Sequence, residues 1–284
     1  MRHFADRLCA AVTSKQTPIC LGLDPHWPLI EETFGRQVSI EKTIEIFLCK
    51  ILDSCHDLVC SCKPNFAFFE EFGWEGVRAF ERVCEHAKKL NLQVIVDAKR
   101  NDIGSTAAAS ARAFLARDLF DALTVNPLLG EDGILPFSKL ARENGKGIFI
   151  LVKTSNPSAG DFQDLVCDGE FLHEKVAQRV ALWGADDLSR QNFSSVGAVV
   201  GATWPEELRG LRQTMGAQIF LIPGFGAQGG KASDIFPAFF ENGLGAIVNS
   251  SRGILFAPGK GDFQENARQA AKRSGEQFAP VFGN

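Results

Sequence analysis

The sequence predicts an α/β fold, a (β/α)8 TIM barrel that forms a single domain over residues 1–284 and has an N-terminal helix. Eight short apolar segments alternate with helical patterns, and the 284 residues accommodate one barrel of about 250 residues. The segments are continuously apolar, as expected for strands covered by helices on both faces of a sheet. A doubly wound open sheet would also explain the alternation, but eight is the number of strands that closes a barrel.

The predicted strands are apolar runs rich in β-branched residues, and each is bounded by turn residues or by a helical pattern. Clear helical patterns occupy residues 74–90 and 106–119. The longest stretch without predicted regular structure, residues 156–170, follows the fifth strand, and loops of this length are often functional. The eight strands are ICLGLD (19–24), LVCSCKPN (58–65), LQVIVDAK (92–99), FDALTVNP (120–127), GIFILVKTS (147–155), SVGAVVGA (195–202), QIFLIPG (218–224) and GAIVNSS (245–251).

Composition argues against two classes of partner. The chain is 45% hydrophobic and 23% charged, with a formal net charge of −4 and an isoelectric point near 5.8. Because a general nucleic-acid binder needs a basic surface, no nucleic-acid partner is expected. No apolar run reaches the length of a membrane span, and the N-terminus lacks the apolar stretch of a signal peptide. We therefore expect a cytoplasmic protein with no membrane partner.

The eight cysteines predict free thiols. They include no C-x-x-C pair, and no histidines accompany them at metal-ligand spacing. In a long chain without a signal peptide, such cysteines are typically buried and reduced. We therefore expect neither disulfides nor a metal ion.

Polar residues concentrate where the predicted strands end. In a (β/α)8 barrel the carboxyl ends of all strands meet at one face, and this face carries the active site. Three lysines, three aspartates and one arginine would therefore share one opening. The strand-end residues are Asp24, Lys63, Asn65, Asp97, Lys99, Asp102, Asn126, Lys153, Ser155, Thr203, the glycines from Gly224, and residues 249–252.

The glycine-rich segment LIPGFGAQGGKA (221–232) allows three interpretations. It contains G-x-G-x-x-G, but the next strand ends in Asn249 where a dinucleotide site needs an acidic residue. It is not a P-loop either, because Lys231 is followed by Ala232 instead of Ser or Thr. The remaining interpretation is a phosphate site built from backbone N–H groups after the seventh strand and from Arg252 after the eighth. A flexible turn beside an incidental arginine is the alternative.

The third strand ends in an unusual run of charges. Residues two apart on a strand face the same way, so Asp97 and Lys99 are predicted to point together into the barrel opening, with Arg100 opposite. Asp102 follows in the loop, and Lys63 ends the neighbouring second strand. Carboxylates beside lysines keep the lysines protonated, and a protonated lysine can donate a proton to a carbanion but cannot form a Schiff base. A structural salt-bridge network is the alternative interpretation.

Several motifs together resemble one known family. DAKRNDIG matches the D-x-K-x-x-D-I pattern of the orotidine 5′-phosphate decarboxylase family. The segments LGLDP, KPNFAFFE, TSNP, GATWPEELRGLR, PGFGAQGG and SSRG match it as well, each at the corresponding strand. The resemblance runs in order from about residue 19 to residue 256 and is strongest to the longer bacterial form of the enzyme.

The resemblance implies decarboxylation of orotidine 5′-monophosphate to UMP and CO2, the last step of de novo UMP synthesis, without a cofactor. Lys99 would protonate C6 of the pyrimidine as CO2 leaves, and Asp97 would lie against the departing carboxylate. Lys63 would connect the charges to the ribose hydroxyls, with Asp24 also on the ribose.

The resemblance also implies a homodimer with shared sites, because Asp102 and Thr106 would reach into the partner's site. Ser155 would contact the base, and the phosphate would be held by Gln228, Arg252 and the backbone of Ser251. Many relatives have glycine at the position of Ser251. A tyrosine that some relatives use near the phosphate is missing, because the chain contains no tyrosine.

Three other functions are compatible with the sequence. The first is a Mg²⁺-dependent sugar-phosphate decarboxylase or lyase built on the same barrel, with the metal at the strand-end carboxylates. The second is an aldolase that forms a Schiff base through Lys153 on the fifth strand. The third is a barrel that binds nucleotide phosphates without catalysis.

Overall fold

The computed structural model of the protein describes residues 2–201, 205–224 and 231–283. Eight parallel strands close into a barrel in the order β1-β10-β9-β8-β5-β4-β3-β2, which confirms the predicted (β/α)8 TIM barrel. Two further strands, β6 and β7, pair antiparallel outside the barrel. The strands are β1 (Ile19–Leu23), β2 (Ser61–Pro64), β3 (Gln93–Arg100), β4 (Ala122–Val125), β5 (Gly147–Lys153), β6 (Val166–Cys167), β7 (Glu170–Phe171), β8 (Val196–Val200), β9 (Phe220–Ile222) and β10 (Ala246–Ser250).

Helices connect the barrel strands and cover their outer faces. Short 3₁₀ helices lie at His56–Leu58, Pro157–Ala159, Phe236–Ala238 and Ala279–Phe282. The α-helices are α1 (Phe4–Lys15), α2 (Trp27–Thr33), α3 (Ile40–Cys55), α4 (Ala67–Glu70), α5 (Gly73–Lys89), α6 (Gly104–Leu115), α7 (Glu131–Glu143), α8 (Gly160–Gln163), α9 (Leu172–Trp183), α10 (Pro205–Thr214), α11 (Ala232–Ile235), α12 (Arg252–Leu255) and α13 (Phe263–Glu276).

Local sequence explains where two of the long helices begin and which face the helix α5 buries. The Ser39 hydroxyl accepts a hydrogen bond from the Lys42 N–H at the start of α3, and the Asp262 carboxylate accepts one from the Glu265 N–H at the start of α13. On α5 the small and apolar residues recur every three or four positions, which produces one buried face. These buried residues are Gly76, Ala79, Phe80, Val83, Cys84 and Ala87.

The core has two layers, one between strands and helices and one inside the barrel. Residues of α1 join the interior layer, so the N-terminal helix closes the amino-terminal end of the barrel. Phe4 packs edge-on against Phe149 of β5, with ring centroids 6.0 Å apart. A Cβ atom at Gly147 would lie 2.3 Å from the Phe4 ring, so this contact requires glycine at the start of β5. The opposite, carboxyl-terminal end is left for a site.

The stretch after β5, predicted to be irregular, instead contains α8 and the β6–β7 hairpin. Polar contacts hold this segment against the barrel. Lys153 pairs with Asp164, and the side-chain oxygen of Gln163 accepts a hydrogen bond of 2.9 Å from the Thr154 N–H. The elements are too short for sequence periodicity to show them, and their positions depend on these tertiary contacts.

The cysteines agree with the prediction of free thiols. All eight are free, six are buried, and Cys49 and Cys167 are half-buried. Within the described ranges, no three His, Cys, Asp or Glu side chains are arranged to hold a metal ion. None of the helices in the described part of the chain is both long and apolar enough to cross a bilayer.

Candidate active site

A cavity of about 330 Å³ opens at the carboxyl-terminal end of the barrel. Leu151, Val199 and Leu221 form an apolar wall, and charged side chains face them. The lining residues are Lys63, Asp97, Lys99, Thr124, Leu151, Thr154, Ser155, Asn156, Val199, Leu221 and Pro223. The cavity therefore combines an apolar surface, suited to a ring, with fixed charges on the other side.

Asp97 lies between two lysine ammonium groups. Lys63 Nζ is 2.6 Å from Asp97 Oδ2, and Lys99 Nζ is 2.6 Å from Asp97 Oδ1. The Lys63 side chain is only 5% exposed, whereas the Lys99 side chain is 48% exposed. The structure thus brings the three predicted residues together, and Lys99 is the one that solvent can reach.

The charges of this group reinforce one another. Burial alone would raise the pKa of Asp97, but the positive charges of Lys63 and Lys99 outweigh burial and hold this pKa well below its usual range. Burial alone would lower the pKa of Lys63, but the charges of Asp97 and Asp24 raise it above its usual value. Asp97 is therefore a carboxylate and Lys63 an ammonium ion at neutral pH.

A backbone bulge, and not regular strand alternation, orients Lys99. The register of β3 against β4 shifts between Val96 and Arg100, and Lys99 adopts a left-handed conformation with φ of 44°. Asp97 and Lys99 point together, as predicted. The predicted cause, regular strand alternation, was wrong. The backbone N–H groups of Ala98 and Lys99 donate to the side-chain hydroxyl of Thr124 on β4 instead of to backbone carbonyl groups of that strand.

Thr124 is a cavity residue that was not among the predicted site residues. Its hydroxyl accepts the two backbone hydrogen bonds, of 3.0 and 2.9 Å, and donates one of 3.0 Å to Asp97 Oδ1. A signal was present in the sequence, because Thr124 lies two positions after the inward-facing Ala122 and so shares its face of β4. A polar residue on that face near the strand end points toward the cavity.

Arg100 lies on the outside of the barrel, as predicted. Its guanidinium pairs with Glu70 at 3.2 Å and lies over the rings of Phe66 and Phe114, at 5.4 and 5.5 Å from their centroids. The two cations of the sequence Lys99-Arg100 therefore have different surroundings, one in the cavity and one among aromatic rings.

Two buried oxygens at the same end of the barrel lack hydrogen-bond partners among the described residues. They are Oδ1 of Asp24, just after β1, and Oδ1 of Asn249, on β10. A buried acceptor without a donor carries a free-energy cost that a ligand hydroxyl can remove. Asp24 is one of the predicted ribose-binding residues.

Asp102 and Thr106 do not join the cavity of their own chain. Asp102 Oδ1 accepts a hydrogen bond of 2.8 Å from the Ile103 N–H, and none of the ion pairs within the described residues includes Asp102. Thr106 is exposed on the first turn of α6. Ile103, 52% exposed, and Leu128, 80% exposed, are also at this end of the barrel.

Ser155 lines the cavity just after β5. A Cβ atom at Gly201, after β8, would lie 3.1 Å from the Ser155 backbone nitrogen, so glycine at this position permits the close approach of the two strand ends. Thr203, the next polar residue after β8, lies outside the described residues.

Ser251 and Arg252 follow β10 at the same end of the barrel. The Ser251 hydroxyl accepts a hydrogen bond of 3.1 Å from Asn249 Nδ2 and lies over Gly22, where a Cβ atom would be 1.9 Å from the hydroxyl oxygen. Arg252 is exposed, and no carboxylate of the described residues forms an ion pair with it. Gln228 and the rest of 225–230 lie outside the described residues.

Lys153 does not line the cavity. Its side chain is 8% exposed, pairs with Asp164, and lies 3.8 Å from Glu207. A buried, ion-paired lysine outside the cavity is poorly placed to attack a carbonyl group, so the Schiff-base alternative is disfavoured.

Comparisons with known proteins agree with this geometry. A profile of the orotidine 5′-phosphate decarboxylase / HUMPS family matches residues 17–270. An orotidine 5′-phosphate decarboxylase of Rhodopirellula baltica is 42% identical over 100% of this chain and 98% of its own length, and one of Caldicellulosiruptor bescii is 37% identical over 98% of each. A solved structure described as a putative orotidine 5′-phosphate decarboxylase from Streptomyces avermitilis superimposes with a TM-score of 0.86 at 35% identity, covering 100% of this chain and 97% of that one. The chain belongs to the orotidine 5′-phosphate decarboxylase family.

Proposed function

We propose that the protein converts orotidine 5′-monophosphate to UMP and CO2 as the last step of UMP synthesis. The observation that carries this proposal is the Lys99 ammonium, held 2.6 Å from the Asp97 carboxylate in a cavity with an apolar wall. In the reaction the bond between C6 and the carboxylate carbon breaks, and its electron pair stays on C6. Lys99 Nζ donates a proton to C6. The partly exposed lysine then regains a proton from solvent.

Asp97 contributes in two ways. Its short ion pair with Lys99 fixes the position of the ammonium group before the substrate binds, so little reorganisation accompanies the reaction. It also places a negative charge beside the substrate carboxylate, which departs as neutral CO2. Lys63 offsets part of this charge from the buried side and keeps the array in place.

The remaining predicted residues hold the parts of the nucleotide that do not react. Asp24 accepts a hydrogen bond from a ribose hydroxyl, which is supported by its buried oxygen without a partner. Ser155 contacts the pyrimidine. Arg252, exposed and without an ion pair in the described part of the chain, binds the phosphate together with Gln228 and the backbone of Ser251. Phosphate binding energy is then available to lower the barrier at the distant C6.

We further propose a homodimer in which Asp102 and Thr106 complete the partner's cavity. Both residues lie at the cavity end of the barrel yet make no ion pair or hydrogen bond with Lys63, Asp97 or Lys99 of their own chain. Exposed apolar side chains nearby, including Leu128, would be buried by a second subunit. Single-domain organisation over residues 1–284 remains a prediction, as does cytoplasmic location, which eight free cysteines fit.

Neither a metal nor an organic cofactor is required by this mechanism. Asp97, the carboxylate that lines the cavity, is poorly placed to bind Mg²⁺, because both of its oxygens already accept hydrogen bonds from lysines. Two ammonium groups supply the positive charge that a metal would otherwise provide.

The test is an ultraviolet assay of orotidine 5′-monophosphate with the purified protein. We expect the substrate to be converted to UMP at the same rate before and after treatment with a chelator. Loss of turnover on chelation would favour the metal-dependent alternative. Binding of the nucleotide without turnover would favour the non-catalytic barrel.

A further inference from the structure

We propose that Thr124 is a positioning residue for the reaction, because its hydroxyl holds the backbone bulge that presents Lys99 to Asp97. This inference rests on the proposed function, since it assigns Thr124 a role in placing the proton donor. Thr124 acts through Lys99 and Asp97 and takes no part in proton transfer itself.

The pairing of β3 with β4 shows why a side chain is needed here. Val96 pairs with Leu123, and Arg100 pairs with Val125. Three residues of β3 therefore lie opposite the single residue Thr124. The β4 backbone therefore offers too few carbonyl groups to accept hydrogen bonds from all three residues of β3. Backbone N–H groups without acceptors are costly in a protein interior.

The Thr124 hydroxyl supplies the missing partners. It accepts hydrogen bonds from the N–H groups of Ala98 and Lys99 and donates one to Asp97 Oδ1, at 3.0, 2.9 and 3.0 Å. A hydroxyl has one donor and two acceptor sites, so its hydrogen-bonding capacity is fully used. Thr124 is 1% exposed, which keeps water from replacing these bonds.

The same hydroxyl fixes the two groups that must be aligned. Lys99 has a φ of 44°, a conformation that residues other than glycine rarely adopt. The Thr124 hydroxyl accepts a hydrogen bond from the Lys99 backbone N–H and so holds this backbone conformation. It also donates to Asp97 Oδ1, the same oxygen that accepts from Lys99 Nζ. Loss of the hydroxyl should therefore displace the proton donor while leaving the nucleotide-binding residues in place.

The test compares Thr124→Val, which keeps the shape but removes the hydroxyl, with Thr124→Ser, which keeps the hydroxyl. We expect Thr124→Val to lower kcat about 100-fold with KM for orotidine 5′-monophosphate and Kd for UMP within about twofold of wild type. Thr124→Ser should recover kcat to within about threefold of wild type. Retention of full kcat by Thr124→Val, or an equal loss in both variants, would overturn the inference.

Thr124→Cys provides a second comparison if the valine variant folds poorly. Cysteine differs from serine by one atom, and sulfur is a weak acceptor. We expect its kcat to fall well below that of Thr124→Ser at similar KM, and equal kcat values would overturn the inference.

Crystal structures of the wild type and of Thr124→Val separate this inference from the proposed function. We expect Lys99 to leave the left-handed region in the variant. An unchanged Lys99 backbone overturns the role of Thr124, whatever the activity. Absence of turnover by the wild type overturns the proposed function, whereas a moved Lys99 would still support Thr124 as the residue that holds the bulge.

Discussion

Lys63 and Asp97 form a buried ion pair, with Nζ 2.6 Å from Oδ2, and Asp97 uses its other oxygen to pair with Lys99. One carboxylate thus serves two ammonium groups, and the three side chains carry a net charge of +1. A cavity with this charge attracts an anionic nucleotide while it still holds a negative group beside the reacting carbon. Four predictions test this arrangement and its setting in the barrel.

Lys99→Ala should abolish turnover while binding of a nucleotide analogue survives in part. Removal of a general acid costs about 10³-fold in rate, but the ribose and phosphate contacts do not involve Lys99. Steady-state kinetics and calorimetric titration with UMP measure the two effects. Arg100→Ala is the matched control, since this neighbouring cation points away from the cavity and pairs with Glu70. Near-full activity of Lys99→Ala would refute its assignment as the proton donor.

Asp97→Asn should destabilise the protein in a pH-dependent way. The folded-state pKa of Asp97 lies below its usual value near 3.8, so its carboxylate stabilises the fold above about pH 4, and this stabilisation is lost as the pH falls through the folded-state pKa. The variant also leaves Lys63 buried without its main counter-charge. We expect this to lower the free energy of unfolding by about 3 kcal/mol at pH 7. Urea unfolding of the wild type and of Asp97→Asn should show a larger difference in the free energy of unfolding at pH 7 than at pH 3.5. A difference that grows as the pH falls would contradict this account.

Mixed dimers should reveal whether active sites are shared. If Asp102 serves the partner's cavity, a dimer of one Lys99→Ala and one Asp102→Ala subunit contains one site with neither substitution. Equal mixing after subunit exchange should therefore restore about a quarter of wild-type activity from two inactive proteins. Lys99→Ala mixed with Asp97→Asn is the control and should restore nothing, because both residues act within one chain. No recovery in the first mixture, with exchange verified, would place Asp102 in its own subunit's site or in none.

Gly147→Ala should lower stability without changing the chemistry. The added Cβ would lie 2.3 Å from the Phe4 ring, so α1 must shift from the amino-terminal end of the barrel. Overpacking of this kind costs about 2 kcal/mol, which thermal unfolding detects. Gly210→Ala is the control and should raise stability slightly. A Cβ on this residue of α10 meets nothing within 4 Å, and alanine favours a helix more than glycine does. Unchanged KM in both variants is expected.

The fold was predictable because each barrel strand carries its own signal. All eight predicted strands exist, although β2 begins only at Ser61, after the 3₁₀ helix His56–Leu58. Apolar segments of this kind are buried wherever they lie in the barrel, so local sequence determines them. The β6–β7 hairpin was missed because each strand has two residues and depends on contacts such as Lys153 with Asp164.

The site was predictable to the extent that strand order determines it. Lys63, Asp97 and Lys99 meet because β2 and β3 are neighbours, and Ser155 joins them at the same end of the barrel. The bulge at Lys99 could not be predicted from local sequence, because the backbone N–H of this left-handed residue donates to the Thr124 hydroxyl on another strand. The proposed roles of Asp102 and Thr106 involve a second subunit, and no local pattern in one chain indicates such a contact.

The half-buried Cys167 on the β6–β7 hairpin makes the natural chain suitable for spectroscopic labelling. Burial raises the pKa of the other thiols, to about 11 for Cys20 and about 12 for Cys9, Cys49 and Cys55, and likewise above the usual value for Cys60, Cys62 and Cys84. Protonated thiols react slowly with maleimides and iodoacetamides, which applies to the half-buried Cys49 as well as to the six buried cysteines. A fluorophore on Cys167 would therefore report on the segment next to the cavity without an engineered cysteine.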